Sequence, residues 1–275
     1  MGSRLSVAFT QLRHLLNLPP SKNTRSAFAR NRNVVLDILA EGRRKNIIHL
    51  FFEVDATATR AQIASNASES GETVSITSYT ASILARCVAA NPRMHAYRHK
   101  GGDLVMFDDV DLSIMIEREV DGELLPLPYI VRGANKKDFF AVDRELKHAK
   151  AAPLFDDGPL SALEAQFFAL PRVFRKLVWY FARSDAHLFR ELAGTVGVTS
   201  IGMHASGRVF VLPITPMTLT LAIGAISSVP VFVDGIVVER ESLQLTISAD
   251  HDVIDGAPLL RFVGTLKTSL EHGIA

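Results

Sequence analysis

From Thr195 almost to the C-terminus the sequence is written in strand-length segments separated by turn residues, and this pattern constrains the fold more than any other. Thr195–Thr199, Val209–Ile214, Leu219–Ile226 and Leu243–Ala249 are rich in β-branched and aliphatic residues, and Asp234-Gly235 supplies the pair that readily turns a hairpin. Along the last segment Leu243, Leu245, Ile247, Ala249 and His251 share one parity, so a regular strand would aim the His251 imidazole at the apolar side. A sheet of this kind needs helices on its apolar face. The first of them follows Gly256, where Leu259, Leu260, Phe262, Val263, Leu266 and Leu270 recur at helical spacing behind Pro258 in the first turn.

Upstream, the pattern predicts a helix to about Arg44, a strand over His49–Val54, a helix capped by Thr57, and another over Ser78–Ala90 that Asn91-Pro92 ends. Val110–Val120 and Leu124–Val131 flank Asp121-Gly122 as a second hairpin, and Lys136–Lys150 reads as an amphipathic helix. The expected class is α+β: a mixed, mostly antiparallel sheet flanked by helices. Residues 1–24 read as an N-terminal extension, a short amphipathic helix broken at Pro19-Pro20, ahead of a main domain over 25–275. A helical stretch at about 152–192 is interrupted at Pro171, with Val173, Phe174, Leu177, Val178 and Phe181 set among Arg172, Arg175, Lys176 and Arg183.

The 275 residues carry a net charge of +1 with no block of one sign, so nothing calls for nucleic acid as a partner. Cys87 is the single cysteine, which excludes an internal disulfide and any multi-cysteine metal site and places the residue as a small buried hydrophobe on a helix. The start of the chain lacks the apolar core of a secretory signal, and the most apolar long segment, Val209–Val233, is punctuated by Pro213, Pro216 and Pro230, so a cytoplasmic protein without a membrane span is expected.

The chemistry concentrates at His251-Asp252-Val253-Ile254-Asp255-Gly256, where strand gives way to helix. A neutral imidazole shielded from water can take the proton of a thiol or hydroxyl as it attacks a carbonyl. Asp255, four residues on, is placed to fix the turn, and Gly256 permits tight backbone at the helix start. The same spacing also suits a core histidine held by a backbone carbonyl and a helix-terminal carboxylate.

Asp250-His251-Asp252-Val253-Ile254-Asp255-Gly256-Ala257-Pro258, with Arg261-Phe262 and Leu266-Lys267 behind it, resembles the C-terminal signature of the dihydrolipoamide acyltransferases of 2-oxoacid dehydrogenase complexes, relatives of chloramphenicol acetyltransferase. Gly194 to Met203, Leu221 to Ile226, Ile48 to Asp55, Asp108 to Ser113 and Arg132 to Lys137 are similar to further segments of that family in the same order. The resemblance covers roughly residues 30 to 272 apart from the helical insertion. It implies a chloramphenicol acetyltransferase-like fold, a homotrimer with active sites between subunits, and transfer of acyl groups between coenzyme A and a thiol of lipoyl or pantetheine type. In that scheme His251 is the general base, Thr199 stabilises the oxyanion and Asp255 holds the histidine loop. Ser200 takes the hydroxyl's role if the register shifts by one, and His95 is a candidate substrate contact. Coenzyme A or acyl-coenzyme A enters as substrate, and no metal is implied.

Acetylation of a small hydroxyl or amine compound, or a trimeric scaffold without turnover, are the competing readings. The chain is expected to carry no lipoyl group of its own, so a separate lipoylated protein, an acyl carrier protein or a free small molecule is expected to serve it, and a plain trimer rather than a cage is expected from the short C-terminus. Asp252 stands where the family has a basic residue. Lys136 and Lys137 are read as solvated charges opening a helix, with the phosphates of coenzyme A as the alternative. For the insertion, which holds Trp179 and Tyr180, packing on the domain through its apolar stripe is expected; contact of 160–192 with a membrane surface, docking of a carrier and lidding of the channel are the alternatives.

Overall fold

In the computed structural model, the described residues are 15–16, 24, 32–99, 101–120, 123–152, 170–201 and 207–272. The N-terminal extension is therefore almost wholly outside them, as are the turn residues Asp121-Gly122 and positions 153–169 of the insertion. The compact unit that carries the sheet spans Asn31–Ala275.

Within it the chain runs α1 (Arg32–Gly42), β1 (Ile47–Asp55), α2 (Thr57–Ser70), α3 (Ile76–Ala89), β2 (Tyr97–Arg98), β3 (Leu104–Val105), β4 (Leu112–Val120), β5 (Glu123–Val131), α4 (Phe139–Ala151), α5 (Arg172–Ala182), α6 (Ala186–Ala193), β6 (Val196–Ser200), β7 (Leu219–Val233), β8 (Ile236–Asp250) and α7 (Gly256–His272). Six strands form one sheet in the order β1-β8-β7-β6-β4-β5. Pairs β1/β8, β7/β8 and β4/β5 are antiparallel, while β6 lies parallel to both β4 and β7. The mixed, mostly antiparallel sheet is the one the strand pattern predicts. Pro126 and Pro128 lie in β5, at the edge of the sheet, where a missing backbone donor costs no ladder bond on the open side.

Alternation assigns the faces. Leu219, Leu221 and Ile223 of β7 and Leu243, Leu245 and Ile247 of β8 join Val196, Val198, Leu112 and Ile114 in the main core. Leu84 and Val88 of α3, Val142 and Leu146 of α4, and Leu259, Phe262 and Leu266 of α7 close over them. Each fully buried aliphatic side chain of this layer contributes roughly 1.5–3 kcal/mol. Cys87 sits in it as a buried residue on α3, its thiol against Ser269 and its pKa pushed up by burial.

The opposite face is unusual because the same strands present Thr218, Thr220, Ser242, Gln244, Thr246, Ser248 and Asp250 there, all buried. Part of the cover comes from residues 207–217. The expected strand over Val209–Ile214 is absent: this stretch forms no ladder. It instead crosses the sheet so closely that a Cβ at Gly224 would stand 2.0 Å from the Val209 carbonyl oxygen. Thr215 meets Thr220 through their hydroxyls at 2.7 Å, and Phe210 packs edge-on against Phe51. A segment that lies across a sheet keeps the alternating sequence of a strand without joining its ladder, and Pro213 has no backbone donor to offer one.

Thr57 differs from expectation as well. It opens α2 but does not cap it; its amide donates to Asp55 Oδ1 at 2.9 Å, and its hydroxyl accepts from the Glu241 amide.

Candidate active site

The strand that should have carried His251 onto the apolar face ends one residue early. The Asp250 carbonyl accepts the amides of Val253 and Ile254, and the His251 amide donates to the Asn46 carbonyl at 2.7 Å, so residues 251–253 form a turn and the pleat's alternation stops. The imidazole consequently leaves the core: 47% of the His251 side chain is exposed. Within a single chain the ring is neither plugged by packing nor closed off from water.

Three contacts brace this turn from the loop between α1 and β1. Asp250, buried at the last position of β8, accepts from Lys45 Nζ at 2.6 Å, the Asn46 side-chain amide donates to Asp252 at 3.0 Å, and the Asn46 carbonyl holds His251 as above. Asp250 also accepts the Asp252 amide at 3.2 Å. The turn-fixing role expected of Asp255 thus falls to Asp250, Lys45 and Asn46. Asp255 itself is 74% exposed, with its Oδ1 4.0 Å from His251 Nδ1, beyond hydrogen-bond range and worth little as an exposed pair. Lys45 and Asn46 carried no sequence signal, but Asp250 did: its parity puts a carboxylate on the buried polar face, where a cation is needed.

A groove beside the turn is lined by Arg44, Lys45, Arg98 and Arg183 together with the carboxylates Glu41, Asp250 and Asp252; Glu41 pairs with Arg44 and Arg183, and Asp250 with Lys45. Lys136 and Lys137 lie elsewhere, paired with Asp109 and Glu145 at 2.5 Å, as helix-opening charges would be.

Thr199 and Ser200 end β6 and point to opposite faces. Val196 and Val198 are core residues, so Ser200 shares their side, and its hydroxyl accepts from Thr77 Oγ1 of α3 at 3.1 Å. Thr199 shares the side of Gly197, where a Cβ would meet the Thr220 hydroxyl, on the polar face of the sheet. The register places Thr199 opposite Ala222, and Ala222 opposite Thr246, five residues before His251. That separation is about 17 Å along the strands and about 10 Å across them, so one chain holds Thr199 and His251 roughly 20 Å apart.

His95 is not a substrate contact in this arrangement. It ends a 3₁₀ turn, has no exposed surface, and its Nδ1 lies 3.1 Å from the Thr195 hydroxyl. Burial pulls its pKa down from 6.5 to about 4, so the folded chain refuses a proton that the unfolded chain accepts. Stability is then complete above pH 6.5 and falls as the pH drops towards 4, by about 3 kcal/mol if the shift is taken whole. Chemical denaturation at pH 7 and pH 4.5 should show this loss in the wild type and a smaller one in His95→Gln; equal losses would remove His95 as the cause.

Beside His95, Asp111 ties the sheet to the insertion. Burial alone would raise its pKa, but hydrogen bonds from Arg190, the Gly133 amide and Arg132 outweigh this and hold the carboxyl below the usual range. The pair of arginines joins α6 and the turn after β5 to the start of β4.

Residues 182–274 match the family model of the 2-oxoacid dehydrogenases acyltransferase catalytic domain. Over most of its length the structure superposes on the dihydrolipoamide acetyltransferase of Azotobacter vinelandii, with a TM-score of 0.68 at 16% identity, covering 93% of this chain and 96% of that one. The chain therefore has the fold of the dihydrolipoamide acetyltransferases. A probable dihydrolipoamide acetyltransferase from Listeria monocytogenes gives a TM-score of 0.67 at 17% identity, covering 92% and 97% of the two chains. In sequence, the chain is similar to the dihydrolipoyllysine-residue acetyltransferase component of the pyruvate dehydrogenase complex of Rickettsia prowazekii, 24% identical over 169 residues that make up 61% of this chain and 33% of that protein. It spans about a third of the length of such curated relatives. The Azotobacter enzyme was examined for the roles of a serine, a histidine and an asparagine in its catalytic mechanism; the serine stands 52 positions before the histidine and the asparagine four after it. Thr199 and Asp255 stand at the same separations from His251.

Proposed function

We propose that this domain transfers acyl groups between coenzyme A and a thiol acceptor of lipoyl or pantetheine type, at sites formed between neighbouring chains of a homotrimer. The observation that carries the reading is the His251 turn: a half-exposed imidazole on a rigidly braced loop, inside the residues that match the acyltransferase family. Equal spacing of Thr199, His251 and Asp255 to the three residues examined in the Azotobacter enzyme supports the choice of Thr199 over Ser200.

The roughly 20 Å between Thr199 and His251 within one chain is too far for joint action on one carbonyl, so the reading requires a second chain to supply the partner. Large apolar side chains stand exposed where such a chain could bind. Beyond the end of β1, β7 and β8 continue as a two-stranded arm bearing Phe232, Ile236 and Val237, and Phe51, Leu212 and Ile214 lie exposed as well. An isolated two-stranded arm with apolar side chains in water is marginal on its own and gains most from being covered.

In the proposed reaction Nδ1 of His251 is turned to Asp255, which leaves Nε2 to remove the proton of the attacking thiol. The sulfur adds to the thioester carbonyl, the Thr199 hydroxyl of the adjacent chain donates to the oxyanion, and collapse expels the second thiolate, which recovers the proton from His251. One thioester and one thiol are consumed and one of each is formed.

The test is incubation with acetyl-coenzyme A and either dihydrolipoamide, N-acetylcysteamine, or amine and hydroxyl acceptors. Thiol-dependent release of coenzyme A is expected. Transfer to amines or hydroxyls alone would move the assignment to small-molecule acetylation, and no turnover with any acceptor across acyl chain lengths would leave a scaffold.

A further inference from the structure

Helix α5 lies in the protein the wrong way round for a helix of its sequence. Its buried side is Arg175, Trp179 and Ala182, while Val173 is 76% exposed and Phe174, Leu177 and Phe181 are at least half exposed. Those four residues fall on one stripe at helical spacing, so the expectation that this stripe packs on the domain is overturned. The roll of the helix is fixed from below. Arg175 Nε donates to Asp37 of α1 at 2.6 Å, both side chains being buried, and its Nη1 donates to the Leu170 carbonyl at 2.6 Å. Trp179 packs edge-on against Phe189 in the smaller apolar cluster of α5 and α6. Rolling the stripe inward would drag Arg175 off Asp37 and leave a buried carboxylate without its cation, which holds the helix as it is.

We infer that α5 is an in-plane anchor that lays its apolar stripe into the surface of an anionic lipid bilayer. The charge on the helix favours this occupant. From Leu170 to Arg183 there are four basic residues and no acidic one, and Arg172 and Lys176 are exposed on the flank of the stripe. With Arg175 committed to Asp37 and Arg183 to Glu41, these two are the ones presented outward. A second copy docked on the same face would bring two basic helices together with no acidic residue between Leu170 and Arg183 on either to pair with them. A bilayer carrying acidic headgroups takes both parts at once, the side chains into the acyl boundary and the cations among the phosphates. The helix, about 16 Å long, lies on a membrane rather than through it; among the described residues no helix is long and apolar enough to cross one.

This goes beyond the acyl-transfer reading and stands or falls apart from it, because its readout is binding. The intact chain is sedimented with phosphatidylcholine vesicles with and without phosphatidylserine, at low and high salt. Binding is expected only with phosphatidylserine, weakening on the order of tenfold in Leu177→Asp/Phe181→Asp, and on the order of tenfold in Arg172→Glu/Lys176→Glu with loss of salt dependence. Circular dichroism and scattering on each variant check that fold and assembly are kept, and Phe174→Ser serves where the double aspartate fails to fold. No binding to acidic vesicles at low salt overturns the inference. So does binding that the α5 variants leave unchanged, and so does a smaller assembly in Leu177→Asp/Phe181→Asp, which would assign the stripe to a second copy of the chain.

Discussion

His251→Ala should reduce acyl transfer at least on the order of a hundredfold while leaving the melting temperature close to that of the wild type. The two halves of this expectation come from the same geometry. The ring is half exposed and, among the described residues, its one charged partner is Asp255 at 4.0 Å, so removing it opens no cavity in the core and strands no buried partner. The turn is fixed by Asp250, Lys45 and Asn46 through backbone and carboxylate contacts that the alanine keeps. What is lost is the base alone, so the fall should appear in kcat with little change in KM for acetyl-coenzyme A. Steady-state kinetics with a thiol acceptor, read beside a thermal melt, separates the outcomes. Retained turnover would end the assignment of His251, and collapse of the melt would show the ring to be structural.

The sheet was legible because its residues obey a local rule. Period-two alternation in Leu219–Ile226 and Leu243–Ala249 survives into β7 and β8, and the apolar spacing after Gly256 survives into α7. What failed was every inference that carried a local period into a place decided by distant contacts. His251 kept its parity in sequence, but a bond from its amide to Asn46, some two hundred residues earlier in the chain, bends the strand before the ring is reached. Val209–Ile214 alternates like a strand yet crosses the sheet over Gly224. In α5 the apolar stripe read correctly as a stripe and wrongly as a buried face, because a single ion pair between Arg175 and Asp37 sets the roll. The site was legible only as separate motifs: sequence could name Thr199 and His251, but their distance depends on a register through three strands.

That distance leads to the sharpest expectation. Thr199→Ala and His251→Ala should each be nearly inactive alone, yet regain activity when their chains are unfolded together and refolded as a mixture. If an active site takes His251 from one chain and Thr199 from its neighbour, a mixed ring contains interfaces where the Thr199→Ala chain supplies the histidine and the His251→Ala chain supplies the threonine. Random assembly gives intact pairs at about a quarter of interfaces, because each of the two positions is filled by the competent chain half the time. A site within one chain can never be rebuilt by mixing, since every chain lacks one of its two groups. The register already argues against that case: five residues of strand and two strand spacings cannot close to the roughly 3 Å at which a hydroxyl donates to an oxyanion. Recovery should vanish when the arm is altered by Phe232→Asp/Ile236→Lys, provided the chain still folds, because that change removes apolar contact from the surface proposed to join the chains. Refolded mixtures no more active than their components would place the whole reaction within one chain or remove Thr199 from it.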